Sequence, residues 1–170
     1  MQIKKYDFVS GAKKAEGIVV IIDVLRAFSV ACYCFSKGIN KLIPVGNFKD
    51  ALSFECRFNQ VVRIGERNGK KLPNFDFGNS PTELKLANLK DKLIVQTTHA
   101  GTQGLVNAIN ASKVLTGALV NAKAIAEYIK QKRPDTVSLV RMGFEAQNQQ
   151  MKMIYALITL RVFWWEVSFQ

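Results

Sequence analysis

Residues Gly17 to Leu25 read GIVVIIDVL. The apolar positions are continuous rather than alternating, which is the pattern of a strand buried on both faces inside a parallel sheet. The following stretch, RAFSVACYCFSKG, has helix-compatible apolar spacing and ends at Gly38, a suitable helix C-cap. KLIPVG then predicts a second strand. NFKDALSFECRF predicts a second helix, with Asn47 as N-cap and Asp50 where a capping box places an acid. QVVRIGE predicts a third strand.

Strand-like and helix-like segments continue through DKLIVQTT, GTQGLVNAI, KVLTGA, NAKAIAEYIKQK and TVSLVRMG. This alternation predicts an α/β fold, layered α/β/α, with a largely parallel or mixed sheet. There is no repeat of fixed period, and no apolar stretch near the roughly 20 residues a membrane span needs.

The chain has 170 residues, 48% hydrophobic and 22% charged, as expected of one globular domain that folds by burial. Its 24 Lys and Arg against 13 Asp and Glu give a net charge of +11. The basic residues are scattered in short pairs such as Lys4-Lys5, Lys13-Lys14 and Lys70-Lys71. That field attracts anions, but no zinc finger, RNP or other nucleic-acid motif accompanies it. Cys32, Cys34 and Cys56 have no paired C-x-x-C spacing, and no secretory leader is present, so a reduced cytoplasm is expected. A C-x5-R phosphatase loop would need Arg at the position of Val62.

In α/β sheets ligands bind beyond the carboxyl ends of the strands, and four polar stretches fall there. In DVLRA, Asp23 closes a strand and Arg26 opens a helix. The pair is either a structural ion pair, or a metal-holding carboxylate beside an oxyanion-binding guanidinium. In IGERNGKKLPNFDFGNSP (64–81), Glu66 and Arg67 follow a strand, and Asp76, Gly78, Asn79 and Ser80 come together. Gly69 and Gly78 could turn successive amides toward an anion, or GNSP could be a turn capping a helix near Thr82. TTHAGTQG (97–104) offers Thr97, Thr98, Gly101 and Thr102 at a helix start, the chemistry of a phosphate or sulfonate site, without the Lys of a P-loop. In GALVNA, Asn121 precedes a helix and is an N-cap or a ligand contact. His99 is the chain's single histidine.

These stretches, in this order, resemble the 2-phosphosulfolactate phosphatase family over about residues 17–143. The resemblance implies Mg2+-dependent hydrolysis of 2-phospho-3-sulfolactate to 3-sulfolactate and phosphate, a step of coenzyme M synthesis. It implies catalytic roles for Asp23, Arg26, Glu66 and Arg67, with Asp23, Glu66 and Asp76 as candidate magnesium ligands. Asp76, Gly78, Asn79, Ser80, Thr97, Thr98, Gly101, Thr102 and Asn121 would contact substrate. The expected partner is a small anionic phosphorylated molecule, with no specific nucleic acid and no membrane; a homo-oligomer is compatible. No DxDx[TV] motif is present, so direct attack by water is expected rather than a phosphoenzyme.

The alternation stops after Gly143. From Phe144 onward the acids are Glu145 and Glu166 only, and no turn signal appears. The resemblance implies an acidic segment followed by Leu-Cys-Ala at this place. Read two bases later, the codons of Met151-Lys152 must give Glu, those of Met153-Ile154 Asp, and those of Phe163 to Glu166 Leu-Val-Gly. Permitted codons elsewhere turn the stretch from Asn148 into the acidic segment and Leu-Cys-Ala. The expectation is a frame change near Gln147, residues 1–146 forming an incomplete α/β domain and 147–170 an out-of-frame tail. The alternative functions are therefore a truncated inactive family member with residual anion binding, or a basic nucleic-acid-binding protein.

Overall fold

The computed structural model describes residues 1–54 and 61–143. Strand β1 (Gln2–Asp7) and helix α1 (Phe8–Ala12) lead to the apolar run, which forms β2 (Gly17–Ile22). Helix α2 (Ala27–Ser36) follows, and Gly38 just beyond it has φ +76°, the left-handed conformation expected where a helix stops. Then come β3 (Lys41–Pro44), α3 (Phe48–Ser53), β4 (Val61–Arg67), β5 (Lys70–Lys71) and β6 (Leu93–Thr97). Helix α4 (Gly101–Asn107), β7 (Ala111–Gly117), a 3-10 turn (Leu119–Asn121), α5 (Ala122–Lys132) and β8 (Thr136–Arg141) complete the order.

The expected α/β fold is present, with its strands divided between two sheets where the sequence predicts one. The first is all parallel, in the order β1-β8-β2-β7. The second has the order β3-β6-β4-β5, parallel except for β5, which runs antiparallel to β4. Periodicity reports which faces of a strand are buried. It does not report which edge the strand joins, and so it cannot divide one set of strands into two sheets.

β2 is flanked by β7 and β8 and covered on both faces. Ile18, Val20 and Ile22 pack with Ile125 and Ile129 of α5, while Val19 and Ile21 pack with Ala12 of α1 and Ala27 and Phe28 of α2. No solvent face remains for a polar residue, which is why the run does not alternate. Each of its fully buried side chains stabilises the fold by about 1.5–3 kcal/mol relative to exposure. Helix α2 joins the two sheets: Phe28 belongs to the first core, whereas Val30 and Cys34 pack with Ile64 and Ile94 of the second. Burial there pushes the Cys34 thiol up to about 12, so it stays protonated as a core residue.

The structure departs from the sequence reading at two further points. β1 and α1 had no sequence signal, because QIKKYD is a mixed edge strand and α1 spans a single short stretch. No helix begins near Thr82; residues 81–87 form successive turns, with Leu84, Lys85 and Ala87 amides donating to the carbonyls of Pro81, Thr82 and Leu84. The Asn47 cap is present: its side chain accepts the Asp50 amide at 2.8 Å. Among the described residues no helix is long and apolar enough to cross a membrane. Cys56, the domain boundary at 146 and the 147–170 tail lie outside the described residues.

Candidate active site

Asp23 is the residue after β2, and its amide donates to the Gly117 carbonyl at the end of β7 (3.1 Å). The backbone amides of Ala27 and Gly101 lie near enough to its carboxylate to favour the charged form. The approach is close: a Cβ on Gly101 would lie 2.7 Å from Asp23 Oδ2 and 2.8 Å from the Ala27 Cβ. Only glycine brings the start of α4 against the end of β2 here. Burial nevertheless dominates, and it raises the Asp23 carboxyl from 3.8 to about 6; the two amides oppose the rise and the Glu66 charge adds to it.

Glu66 reaches the same place from the second sheet. The chain turns after Arg67 through Asn68 (φ +53°) and Gly69 (φ +75°), and Arg67 pairs with Lys70. Two central residues of positive φ make this the tight hairpin that Asn-Gly favours. The turn delivers the Gly69 amide to Glu66 Oε2 at 2.8 Å, and the His99 amide meets Glu66 Oε1 at 2.7 Å. Glu66 is buried, so its carboxylate clasps the hairpin to the loop after β6. RNGK was a legible hairpin signal; reading Gly69 as part of an anion nest missed that its amide faces Glu66.

The Arg67 guanidinium is a strut. It donates to the Glu66 carbonyl (2.7 Å), the Thr97 hydroxyl (2.8 Å) and the Gly46 carbonyl (3.3 Å). Partial burial lowers its pKa, and Glu66 opposes that. Gln103 of α4 donates to the same Gly46 carbonyl, so the ends of β3, β4 and β6 are tied together.

The 97–102 loop differs from an open phosphate loop. Thr98 and Thr102 bond reciprocally: the Thr102 amide donates to Thr98 Oγ1 (3.1 Å), and the Thr98 amide to Thr102 Oγ1 (2.8 Å). Thr97, Thr98, Gly101 and Thr102 are all buried. The hydroxyls hold the loop, the His99 amide meets Glu66, and the Gly101 backbone lies against Asp23. The anions at this strand end are the protein's own carboxylates.

The remaining predicted residues divide. Arg26 is exposed, at the N-cap of α2. Asp76 does not join Asp23 and Glu66. Its Oδ2 accepts the Arg63 amide at 2.7 Å, three residues before Glu66 and so about 10 Å back along the strand. The Gly78 amide is taken by Glu83 Oε2 (2.7 Å). Asn79 is buried, with Oδ1 lacking a partner among the described residues, and Ser80 is half-buried. Asn121 closes its own turn, accepting the Ala118 amide (2.8 Å) and donating to the Thr116 carbonyl (2.7 Å). Sequence reasoning passed over Gln96, although a polar residue inside the apolar run LIVQT was a signal.

Among the described residues, Asp23 and Glu66 are therefore the two predicted carboxylates that lie together. Among the described residues no group of three or more Asp, Glu, His and Cys is assembled. The pair still suits magnesium, which takes oxygen ligands and keeps several waters on one or two carboxylates. A desolvated carboxyl raised by a neighbouring like charge is relieved by a divalent cation.

The family model described as 2-phosphosulpholactate phosphatase matches residues 5–161. The chain is 36% identical over 148 residues to a protein of Carboxydothermus hydrogenoformans named "Probable 2-phosphosulfolactate phosphatase", covering 86% of this chain and 61% of that one. It is 36% identical over 144 residues to a protein of the same name from Caldanaerobacter subterraneus, covering 84% and 59%. A Clostridium novyi protein, again so named, is 38% identical over 120 residues, covering 70% and 51%. The chain thus spans between about half and three fifths of the length of these relatives.

Proposed function

The chain belongs to the 2-phosphosulpholactate phosphatase family, and from this we propose that it hydrolyses a small, multiply anionic phosphate monoester, 2-phospho-3-sulfolactate, with magnesium as cofactor. The observation that carries the reading is the convergence of Asp23 and Glu66 from two different sheets, Glu66 fixed by two backbone amides and Asp23 buried against the Gly101 backbone. Such fixed carboxylates are what a catalytic site needs, since positioning within a fraction of an ångström governs rate.

Asp23 and Glu66 would hold the ion, which supplies charge neutralisation and Lewis acidity to the phosphoryl group. Arg26, exposed at the rim, forks onto an oxyanion of the substrate. Arg67 keeps Glu66 and Thr97 in place and leaves part of its donor fork for anion contact. The chemical step is attack of a water oxygen on phosphorus with cleavage of the P–O ester bond. The protons of that water end on phosphate and on the new hydroxyl of sulfolactate. Direct attack leaves no covalent phosphate on the protein. Coenzyme M synthesis in a cytoplasm is the setting this substrate points to.

The test is release of inorganic phosphate from 2-phosphosulfolactate with and without added magnesium, together with acid-quench trapping using labelled substrate. Magnesium-dependent release with no labelled protein supports the reading; a labelled phosphoenzyme rules out direct attack. The separate position of Asp76 favours a second reading, a non-catalytic anion-binding member, because only two of the three expected carboxylates meet. Binding of 2-phosphosulfolactate by calorimetry, without turnover at any magnesium concentration, would select it.

A further inference from the structure

Gln96 lies on β6 in the second sheet and is 1% exposed. Its side-chain Nε2 donates to the Ala27 carbonyl at 3.0 Å, at the start of the helix that leaves Asp23. A carbonyl can only accept, so the amide orientation is fixed, and Oε1 is left without a partner among the described residues. The next residue of the same turn, Phe28, donates its N–H to the Asp23 carbonyl at 3.4 Å, and the Ala27 amide lies near the Asp23 carboxylate. The first turn of α2 is therefore held from both sides: Asp23, at the end of β2 in the first sheet, takes the Phe28 N–H, and Gln96 of the second sheet holds the Ala27 C=O. Ala27 is fully buried against the Gly101 approach, so it has no alternative seat.

An apolar side chain of similar volume would pack in this interior without leaving an acceptor unpaired. The amide supplies a directional bond that such a side chain does not. We propose that Gln96 is a positioning residue for Asp23, fixing the first turn of α2 across the boundary between the sheets so that the carboxylate and Arg26 hold one geometry. The role rests on the phosphatase reading for its catalytic consequence, but not for its structural one.

The experiment compares Gln96→Met, which keeps volume and removes the donor, with Gln96→Glu. A buried Glu keeps its proton, so its hydroxyl can donate to the Ala27 carbonyl in place of the amide. Three quantities are measured on each: kcat and KM for 2-phosphosulfolactate with magnesium, the thermal midpoint, and the hydrogen-exchange rate of the Ala27 amide by NMR. Expected for Q96M is a fall in kcat of tenfold or so with KM nearly unchanged, and Ala27 exchange accelerated about tenfold while Val20 exchange stays constant. Expected for Q96E is kcat within about threefold of the unaltered chain. Equal losses in both variants, or kcat unaffected in Q96M, overturn the proposal. If the unaltered chain shows no phosphatase activity, the functional reading fails separately. Ala27 exchange then decides the clamp, acceleration in Q96M supporting it and an unchanged rate refuting it. Should Q96M not fold, Q96E read against the unaltered chain decides: kcat and Ala27 exchange close to the original support the donor role, and loss of both refutes it.

Discussion

Replacing Asp23 with Asn should stabilise the fold at neutral pH while abolishing phosphate release. The Asp23 carboxyl titrates near 6 in the folded chain, against an ordinary 3.8. Below about 3.8 it is protonated in both states, and its contribution is fully present. As pH rises through 6, the unfolded chain has already ionised while the folded chain resists, so stability is lost. At about 1.4 kcal/mol per pKa unit the loss is about 3 kcal/mol, complete above 6. The residue is 7% exposed, so solvent screens little of it. Asn keeps one acceptor oxygen near the Ala27 and Gly101 amides where the carboxylate has two, a loss of about 1 kcal/mol. The net gain is about 2 kcal/mol, or about 4–8 °C in Tm for a chain of this size. The assay is thermal unfolding of both proteins in EDTA between pH 4 and 8. The Tm gap should be small or reversed at pH 4 and open between pH 4 and 7. Added magnesium should close it by stabilising only the original chain, by about 2.7 kcal/mol at a hundredfold excess over Kd. A gap that stays constant across the pH range would refute the reasoning.

G101A should lose activity at least a hundredfold, because the new methyl would lie 2.7 Å from Asp23 Oδ2; steady-state kinetics check it, and activity within twofold of the original refutes it. R67M removes the tie among Glu66, Thr97 and Gly46 and should destabilise by about 2 kcal/mol, the scale of hydrogen bonds to a charged group. Urea unfolding measures it, and R67K, which cannot span three acceptors, should recover little. D76A should cost about 1 kcal/mol by freeing the Arg63 amide, yet leave kcat within threefold. A metal-site role for Asp76 would instead show as a large rise in the magnesium concentration needed for half-maximal rate.

The parts of the fold legible in the sequence are those set by local burial. β2 announces itself because both its faces are covered, and Gly38 because glycine readily takes the left-handed conformation in which α2 ends. The division into two sheets was not legible, since β3 and β6 carry the same apolar signature as β2 and nothing in them names a partner. At the site, strand-end position was enough to bring Asp23, Glu66, Thr98 and Gly101 into one list. Their mutual wiring was not readable, because it depends on which amide meets which oxygen across 30 or more residues of intervening chain. Gln96 and the Glu66 clasp exist only at that level.

That wiring changes what the glycine-rich and threonine-rich loops mean. A loop of free amides at a strand end favours an incoming phosphate directly. Here the Gly69 and His99 amides are already matched to Glu66, and the Thr98 and Thr102 amides to each other's hydroxyls, while the start of α4 lies against Asp23. The strand ends therefore present fixed negative charge, and a phosphate approaching two carboxylates is repelled unless a cation comes first. Net charge of +11 supplies long-range attraction, but the local order must be divalent cation, then anion. Kinetically this requires ordered binding: substrate affinity should be lost when magnesium is withheld, while magnesium binds without substrate. Calorimetry with each alone separates the two orders, and tight substrate binding in EDTA would show that the anion site lies elsewhere, with Arg26 as its first candidate.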